Sequence, residues 1–437
     1  MNRIFYTIAF SQFLSALADN ALLIVSIALL VAMQEPDWVS PLLKISFVLP
    51  YVVFAPFVGA FADSRPKGQV MLISNLLKAS GCAFILFGMH PLLGYGIVGI
   101  GAALYAPAKY GILTELLPSD KLVAANGWME GLIIASIIFG TLLGGFLISD
   151  FLNQFYRLMN LDFIGSQISN SIEVSIYLIS IIYITAALLN LPLLKVGFSH
   201  QKLNLHFGEL VKEFTTCFIG LWHDRLGRLS LSVTTLFWGA GATLQFVMLK
   251  WAESALHMNL AESASLQAVS AVGVAVGAVY AACKVSLKDS TNVLPYGALM
   301  GLVVCLMGIY NDELLPSIML IEIHSIQLTL NHLPAYLLLI LLGWLSGYFV
   351  VPMNALLQHR GHALMSTGQS IAAQGFSENL AILFMLLIYS ILLWLNLSLT
   401  LIILGFGLSV FLVMILIMYG NLKMSVQELN THKTLTH

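Results

Sequence analysis

The chain has 437 residues, 59% of them hydrophobic and only 9% charged, with a formal net charge of -2. Water-soluble domains carry about a quarter charged residues, so a water-facing globule is excluded and lipid hydrocarbon must be much of the solvent. The balanced charge gives no indication of nucleic acid or an acidic macromolecule as partner.

The first apolar run covers residues 4–33. Ser15-Ala16-Leu17-Ala18 resembles a signal-peptide cleavage site, but the run is too long for a signal core and continues past it, so this helix is expected to be retained. A membrane-spanning helix needs roughly 20 apolar residues. Windows of that size follow at 42–62, 69–89, 92–114, 122–148 and 173–195, then at 229–251, 265–284, 292–310, 335–357, 368–394 and 396–419. The predicted fold class is an all-α membrane protein of about twelve transmembrane helices in two pseudo-symmetric six-helix bundles. The expected divisions are a first bundle over 1–195, a cytoplasmic linker over 196–228, a second bundle over 229–420 and a cytoplasmic tail over 421–437.

With a cytoplasmic N-terminus, Arg3, Arg65, Lys67, Lys109, Lys212, Arg225, Lys284, Arg360 and Lys423, among others, collect on the cytoplasmic side. Little besides Lys44 and Arg157 falls on the opposite one, which is the positive-inside pattern. The linker carries Phe207, Leu210, Val211, Phe214, Phe218, Leu221 and Trp222 at helical spacing, with Glu209, Lys212 and Glu213 opposite. That pattern predicts a helix lying on the membrane surface; a poorly ordered linker is the alternative.

A weak internal repeat supports two halves. Tyr105-Ala106-Pro107-Ala108-Lys109-Tyr110 is echoed by Val350-Val351-Pro352-Met353-Asn354-Ala355, and Asn126-Gly127-Trp128-Met129-Glu130 by Gln374-Gly375-Phe376-Ser377-Glu378. Parallel repeats of this kind occur in transporters whose halves rock against each other.

Gly59-Ala60-Phe61-Ala62-Asp63-Ser64-Arg65-Pro66-Lys67-Gly68, after the second span, resembles the helix 2–3 loop motif of the major facilitator superfamily. That likeness implies a gating role for Asp63, Arg65 and Lys67, with Asp63 facing the start of the eleventh helix near Ser366-Thr367. The alternative is an ordinary positive-inside loop. Gly94-x-Gly96-x-x-Gly99 matches a dinucleotide fingerprint only formally, because it lies in an apolar span with no preceding strand. Gly140-x-x-x-Gly144 and Gly273-x-x-x-Gly277 predict close helix approach. The four cysteines lack metal or redox spacing and are read as free thiols. No histidine set has metal-ligand spacing, so neither a metal nor a cofactor is expected.

Ionisable residues inside the spans carry more information, since a charge at mid-bilayer costs at least about 2.5–3.5 kcal/mol. Asp19 lies near the centre of the first span, and Glu130 and Glu378 approach mid-depth in the fifth and eleventh. Asn126 with Glu130 and Gln374 with Glu378 are i,i+4 pairs, each on one helix face. The candidate cations are Lys109, Lys78 and Lys250. Structural alternatives are an Asp19–Lys109 ion pair and snorkelling of Lys78 and Lys250 to the two interfaces.

Three blocks carry a closer likeness: Phe13-Leu14-Ser15-Ala16-Leu17-Ala18-Asp19-Asn20-Ala21-Leu22-Leu23, Tyr105-Ala106-Pro107-Ala108-Lys109-Tyr110-Gly111-Ile112-Leu113 and Phe349-Val350-Val351-Pro352-Met353-Asn354-Ala355-Leu356-Leu357-Gln358. They resemble the lysophospholipid transporter family of the major facilitator superfamily, found in Gram-negative inner membranes. The resemblance implies flipping of lysophospholipids such as lysophosphatidylethanolamine to the cytoplasmic leaflet, where a separate acyltransferase/acyl-carrier-protein synthetase would reacylate them. It implies a monomeric carrier in contact with membrane lipids, not an enzyme. Asp19 and Lys109 would take headgroup-recognition or gating positions. The residues expected to meet substrate are Asp19, Asn20, Lys109, Asn126, Glu130, Gln245, Asn354, Gln374 and Glu378. Gln245 stands where the family carries an arginine, and the stretch Ile318–Asn331 is longer than the family needs. Two other classes compete. One is a proton-coupled exporter of small amphiphiles; the other is a membrane acyltransferase, disfavoured because none of His90, His223, His257 or His324 has an Asp five residues on.

Overall fold

The computed structural model describes residues 3–116, 119–149, 151–152, 154, 170–195, 207–312, 316, 319–323, 326–364 and 367–435. Its helices are α1 (Arg3–Ala32), α2 (Ser40–Val53), α3 (Ala55–Asp63), α4 (Lys67–Leu86), α5 (Pro91–Leu116), α6 (Ser119–Leu147) and α7 (Asn170–Leu189). There follow α8 (Phe207–His223), α9 (Arg225–Ala255), α10 (Leu260–Lys284), α11 (Leu294–Ile309), α12 (Leu333–Leu364), α13 (Thr367–Trp394) and α14 (Leu399–Leu435). Among the described residues, ten helices are long and apolar enough to cross a membrane, and Gly131–Leu147 of α6 is a shorter apolar helix. The remaining expected span, 42–62, is broken into α2 and α3 at Phe54, whose backbone leaves the helical region. Pro56 is the cause: it has no N–H for the carbonyl four residues back, and its ring clashes with that carbonyl. A proline is tolerated in the first turn of a new helix, which is where α3 places it.

The stretch before α12 holds a short antiparallel hairpin, β1 (Met319–Ile323) with β2 (Ile326–Thr329), in the register Glu322 to Gln327 and Ile323 to Ile326. It is the one departure from helix among the described elements and fills the segment expected to be an insertion.

The chain forms two compact units. The first comprises Met1–Thr216, Met258–Ala268 and Ile382–Trp394, and the second Cys217–His257, Val269–Ala381 and Leu395–His437. In the first unit, Phe5, Ile8, Val70, Met71, Ile112, Leu113 and Met129 form one buried cluster. Helices α1 and α6 approach through Gly140 and Gly144, where a Cβ would fall 2.5 Å from the Leu17 carbonyl and 2.8 Å from that of Ala21. The glycines of the rejected dinucleotide pattern serve helix packing in the same way. Gly94 lies against Gly81 and Ile85 of α4, and Gly99 against the Phe47 backbone of α2. Ser390 on α13 donates to the Trp38 carbonyl at 2.6 Å.

The second unit uses two reciprocal glycine contacts. Gly273 and Gly277 of α10 face the backbone of Ile340 and Trp344, while Gly343 and Gly347 of α12 face Ser270 and Val274; α11 and α14 meet at Gly301 and Gly407. The linker helix forms as α8, and its last turn packs Phe218, Leu221 and Trp222 with Leu231, Leu357 and Ala373. Asp224 caps α9, accepting from the Gly227 amide at 2.7 Å. The same carboxylate takes the Arg360 guanidinium in a bidentate grip, Nε at 3.0 Å from Oδ2 and a terminal nitrogen on Oδ1, tying the start of α9 to the end of α12. Arg360 holds the Asp224 carboxyl below its ordinary value against the opposing effect of burial, with the Gly227 amide helping.

Two tests follow from this packing. Gly277→Ala puts a methyl into the Trp344 backbone and should cost about 1–3 kcal/mol of stability by overpacking. Gly220→Ala, on α8 with nothing within 4 Å of the new Cβ, should be neutral or slightly stabilising; thermal unfolding of the purified variants compares them. For the ion pair, a depressed carboxyl pKa means the contribution is fully present above the ordinary carboxylate value of about 4 and is lost as pH falls through the lower folded value. Arg360→Met should therefore lose about 1–2 kcal/mol near neutral pH. Its melting temperature should converge on that of the wild type below about pH 4.

Candidate functional site

The first unit buries a polar network on α1, α4, α5 and α7. Its centre is Asp19. Lys78 Nζ lies 2.7 Å from Asp19 Oδ2, and the two side chains are 3% and 15% exposed. Tyr183 donates its hydroxyl to Asp19 Oδ1 at 2.8 Å, and Tyr95 donates to the Asp19 carbonyl at 3.0 Å. Lys78 also donates to Ser15 Oγ at 2.9 Å, and Ser15 donates to Asn75 Oδ1 at 2.7 Å. The ammonium lies 5.6 and 5.7 Å from the ring centroids of Tyr105 and Tyr183, within cation–π range. One turn earlier on α1, Ser11 reaches Asn190 Oδ1 and the Ala186 carbonyl, each at 3.0 Å. Each helix contributes through its spacing. Ser11, Ser15 and Asp19 recur every four residues on one face of α1, and Asn75 and Lys78 are three apart on α4.

The partner of Asp19 is thus Lys78 rather than Lys109, and Lys78 does not snorkel. It lies eleven residues past the start of α4 at Lys67, roughly 16 Å along the axis, beyond the reach of its own four-carbon stem. Lys109 is on α5, 5% exposed. Asn20 turns back to the Ala16 carbonyl at 2.8 Å. Asn126 and Glu130 belong to α6, and Asp63 ends α3; their side chains lie outside the described residues, as do Arg157 and Ser366. Lys67, expected at a gate, is buried and donates to the Ala62 carbonyl at 2.9 Å, capping α3 with the charge a helix C-terminus favours. Arg65 is exposed, its guanidinium 5.1 Å from the Phe61 ring centroid.

In the second unit, Gln374 donates to Glu378 Oε1 at 2.7 Å, as their i,i+4 spacing predicts. Asn354 Oδ1 is buried with no hydrogen-bond partner among the described residues, an acceptor whose isolation costs about 1–3 kcal/mol unless a ligand or water fills it. Gln245 is half-buried on α9. Lys250 pairs with Glu253 at 2.8 Å in an exposed i,i+3 contact. Among the described residues, no group of three or more His, Cys, Asp or Glu side chains is placed to hold a metal ion.

The sequence singles out none of Tyr183, Tyr95, Ser15 and Asn75 as site residues, and offers Lys78 both as a candidate cation and as a snorkelling residue. A usable signal is present: Asn75, Lys78 and Tyr183 are polar groups far from the ends of their spans, where only another side chain or the backbone can satisfy them.

The model of the Major Facilitator Superfamily matches residues 8–383. A protein of Citrobacter koseri called lysophospholipid transporter LplT is 42% identical over 398 residues, 91% of this chain and 90% of its own. One of the same name from Yersinia enterocolitica is 40% identical over 382 residues, covering 87% and 85%. The crystal structure of the nucleoside transporter NupG shares the fold at TM-score 0.66 with 11% identity, covering 95% of this chain and all of that one. Twelve-helix expectation, glycine-packed helices and charged spans meet in one assignment: the chain belongs to the major facilitator superfamily and, within it, to the lysophospholipid transporter family.

Proposed function

We propose that this protein carries lysophospholipids such as lysophosphatidylethanolamine across the bacterial inner membrane to the cytoplasmic leaflet, by alternating access of its two helix bundles. Relatives of that name, matched over nine-tenths of both chains, support the substrate class. The observation that carries the chemistry is a carboxylate and an ammonium held together deep in one bundle. A lysophosphatidylethanolamine headgroup bears one phosphate and one ammonium. Asp19 offers the ammonium a charge-assisted acceptor, and the basic residues of the spans, Lys109 among them, offer the phosphate a counter-charge. The orphan acceptor of Asn354 and the carboxylate of Glu378 with its Gln374 donor are further polar contacts, together with Asn20, Asn126, Glu130 and Gln245. Asp63, Arg65 and Lys67 act at the gate.

The Lys and Arg bias supports a cytoplasmic location for both termini. Delivery to the inner leaflet supplies a separate acyltransferase/acyl-carrier-protein synthetase, whose reacylation keeps the gradient inward. The carrier works as a monomer within membrane lipids.

Proteoliposomes containing the purified protein should move labelled lysophosphatidylethanolamine between leaflets faster than protein-free liposomes. Equal rates would remove this reading, and proton-driven efflux of a small cationic amphiphile instead would install an exporter in its place. Asp19→Asn removes one charge-assisted contact worth about 1.5–3 kcal/mol. Its transport should fall about 10- to 100-fold while its level in the membrane stays normal.

A further inference from the structure

Lys78 and Asp19 are not equivalent members of their pair. The Lys78 side chain is 3% exposed and that of Asp19 15%, so whatever reaches this site reaches the carboxylate. Lys78 spends its donors inward, on Asp19 Oδ2 at 2.7 Å and Ser15 Oγ at 2.9 Å, over the faces of Tyr105 and Tyr183. Asp19 accepts one bond at each oxygen, from Lys78 and from Tyr183. An ionised carboxylate has about four acceptor positions, so about half its capacity remains on the side that Lys78 and Tyr183 leave open.

We propose that Lys78 is a positioning residue for transport: from behind, it holds Asp19 turned so that its open edge meets an ammonium on the substrate. The proposal rests on the lysophospholipid reading and adds a headgroup preference to it. Asp19 and Lys78 sum to zero charge. A headgroup carrying both phosphate and ammonium is also neutral and brings the donor that the open carboxylate edge lacks. A headgroup of phosphate and glycerol brings only neutral hydroxyl donors, weaker on a carboxylate than an ammonium, and adds net negative charge. Among the described residues, Lys44 on α2 also feels the Asp19 charge and lies against the Phe47 ring with Nζ 5.2 Å from its centroid. Without Lys78, the Asp19 carboxylate loses the 2.7 Å hydrogen bond that fixes one of its oxygens, and with it the orientation of its open edge.

The test compares wild type, Lys78→Met, Lys78→Arg and the doubly neutral Asp19→Asn/Lys78→Met in proteoliposomes. It uses lysophosphatidylethanolamine, which has an ammonium, and lysophosphatidylglycerol, which has none, and it records melting temperature alongside transport. Lys78→Met should raise KM for the ethanolamine lipid about ten-fold or more with kcat nearly kept, and leave the glycerol lipid within about two-fold. Lys78→Arg, which keeps the charge and the donors, should restore the ethanolamine KM to within about three-fold. The double variant, which buries no unpaired charge, should fold and should lose the preference for ethanolamine. A parallel loss for both lipids, tracking a lower melting temperature and not rescued by arginine, would make Lys78 a purely structural residue and overturn the proposal. So would an unchanged headgroup preference in the double variant, even if Lys78→Met fails to fold. Wild-type protein that moves neither lipid would instead defeat the underlying reading.

Discussion

Hydrocarbon offers no hydrogen bonds, and every polar group in this chain's spans must find its partner within the protein. Helices satisfy the backbone. The side chains then take two routes that can be read residue by residue. Some turn back on their own helix: Thr141 bonds the Ile137 carbonyl at 2.6 Å, Ser346 that of Leu342 at 2.7 Å and Ser377 that of Ala373 at 2.9 Å. Others reach across helices, as in Ser11 to Asn190, Ser15 to Asn75, and Lys78 and Tyr183 to Asp19. Because lipid gives helices no hydrophobic reason to associate, these bonds and the close contacts at Gly140, Gly144, Gly277 and Gly347 carry the packing.

The Asp19–Lys78 pair is not explained by stability. Desolvating two charges costs several kcal/mol per ion, and a buried pair returns that only when its geometry is good and its remaining donors and acceptors are satisfied. Here Lys78 is well supplied, through Ser15 and two aromatic faces, while Asp19 adds only the Tyr183 hydroxyl. Even so, an apolar pair of similar volume would serve a purely structural helix contact as well or better. What the ion pair supplies and leucines do not is a carboxylate held in place at depth, with part of its surface open. That is a chemical property, and it is useful to a carrier of a charged headgroup.

Much of this is legible in the chain itself. Length and polarity of the spans set the fold class, and the glycine spacings mark contact faces, although the partner helix of each lies beyond any local pattern. Asp19 can be picked out because an acid near the centre of a span needs a partner or a function. Its partner cannot: three lysines, Lys78, Lys109 and Lys250, stand as candidate cations, and sequence separation between helices does not say which faces which. Snorkelling stays open as an alternative for Lys78 when it is judged by residue type rather than by depth. The break at Phe54 is also in plain view, since Pro50 and Pro56 flank it, but a hydropathy window sums across prolines and reports one span. The β1–β2 hairpin sits in the stretch 318–331, which the sequence marks as longer than the family needs, and a hydropathy window carries no signal for a two-stranded hairpin.

All members of the network around Asp19 belong to one compact unit. Ser15 and Asp19 come from α1, Asn75 and Lys78 from α4, Tyr95 and Tyr105 from α5, and Tyr183 from α7. Packed interiors deform little under rigid-body motion, so a network confined to one bundle keeps its distances whichever way the two bundles of a carrier are disposed. The polar groups of the second unit, Asn354 and the Gln374–Glu378 pair, form a separate set on their own helices, so the two units differ in polar chemistry although the repeat leaves a proline inside a matching helix of each, Pro107 in α5 and Pro352 in α12.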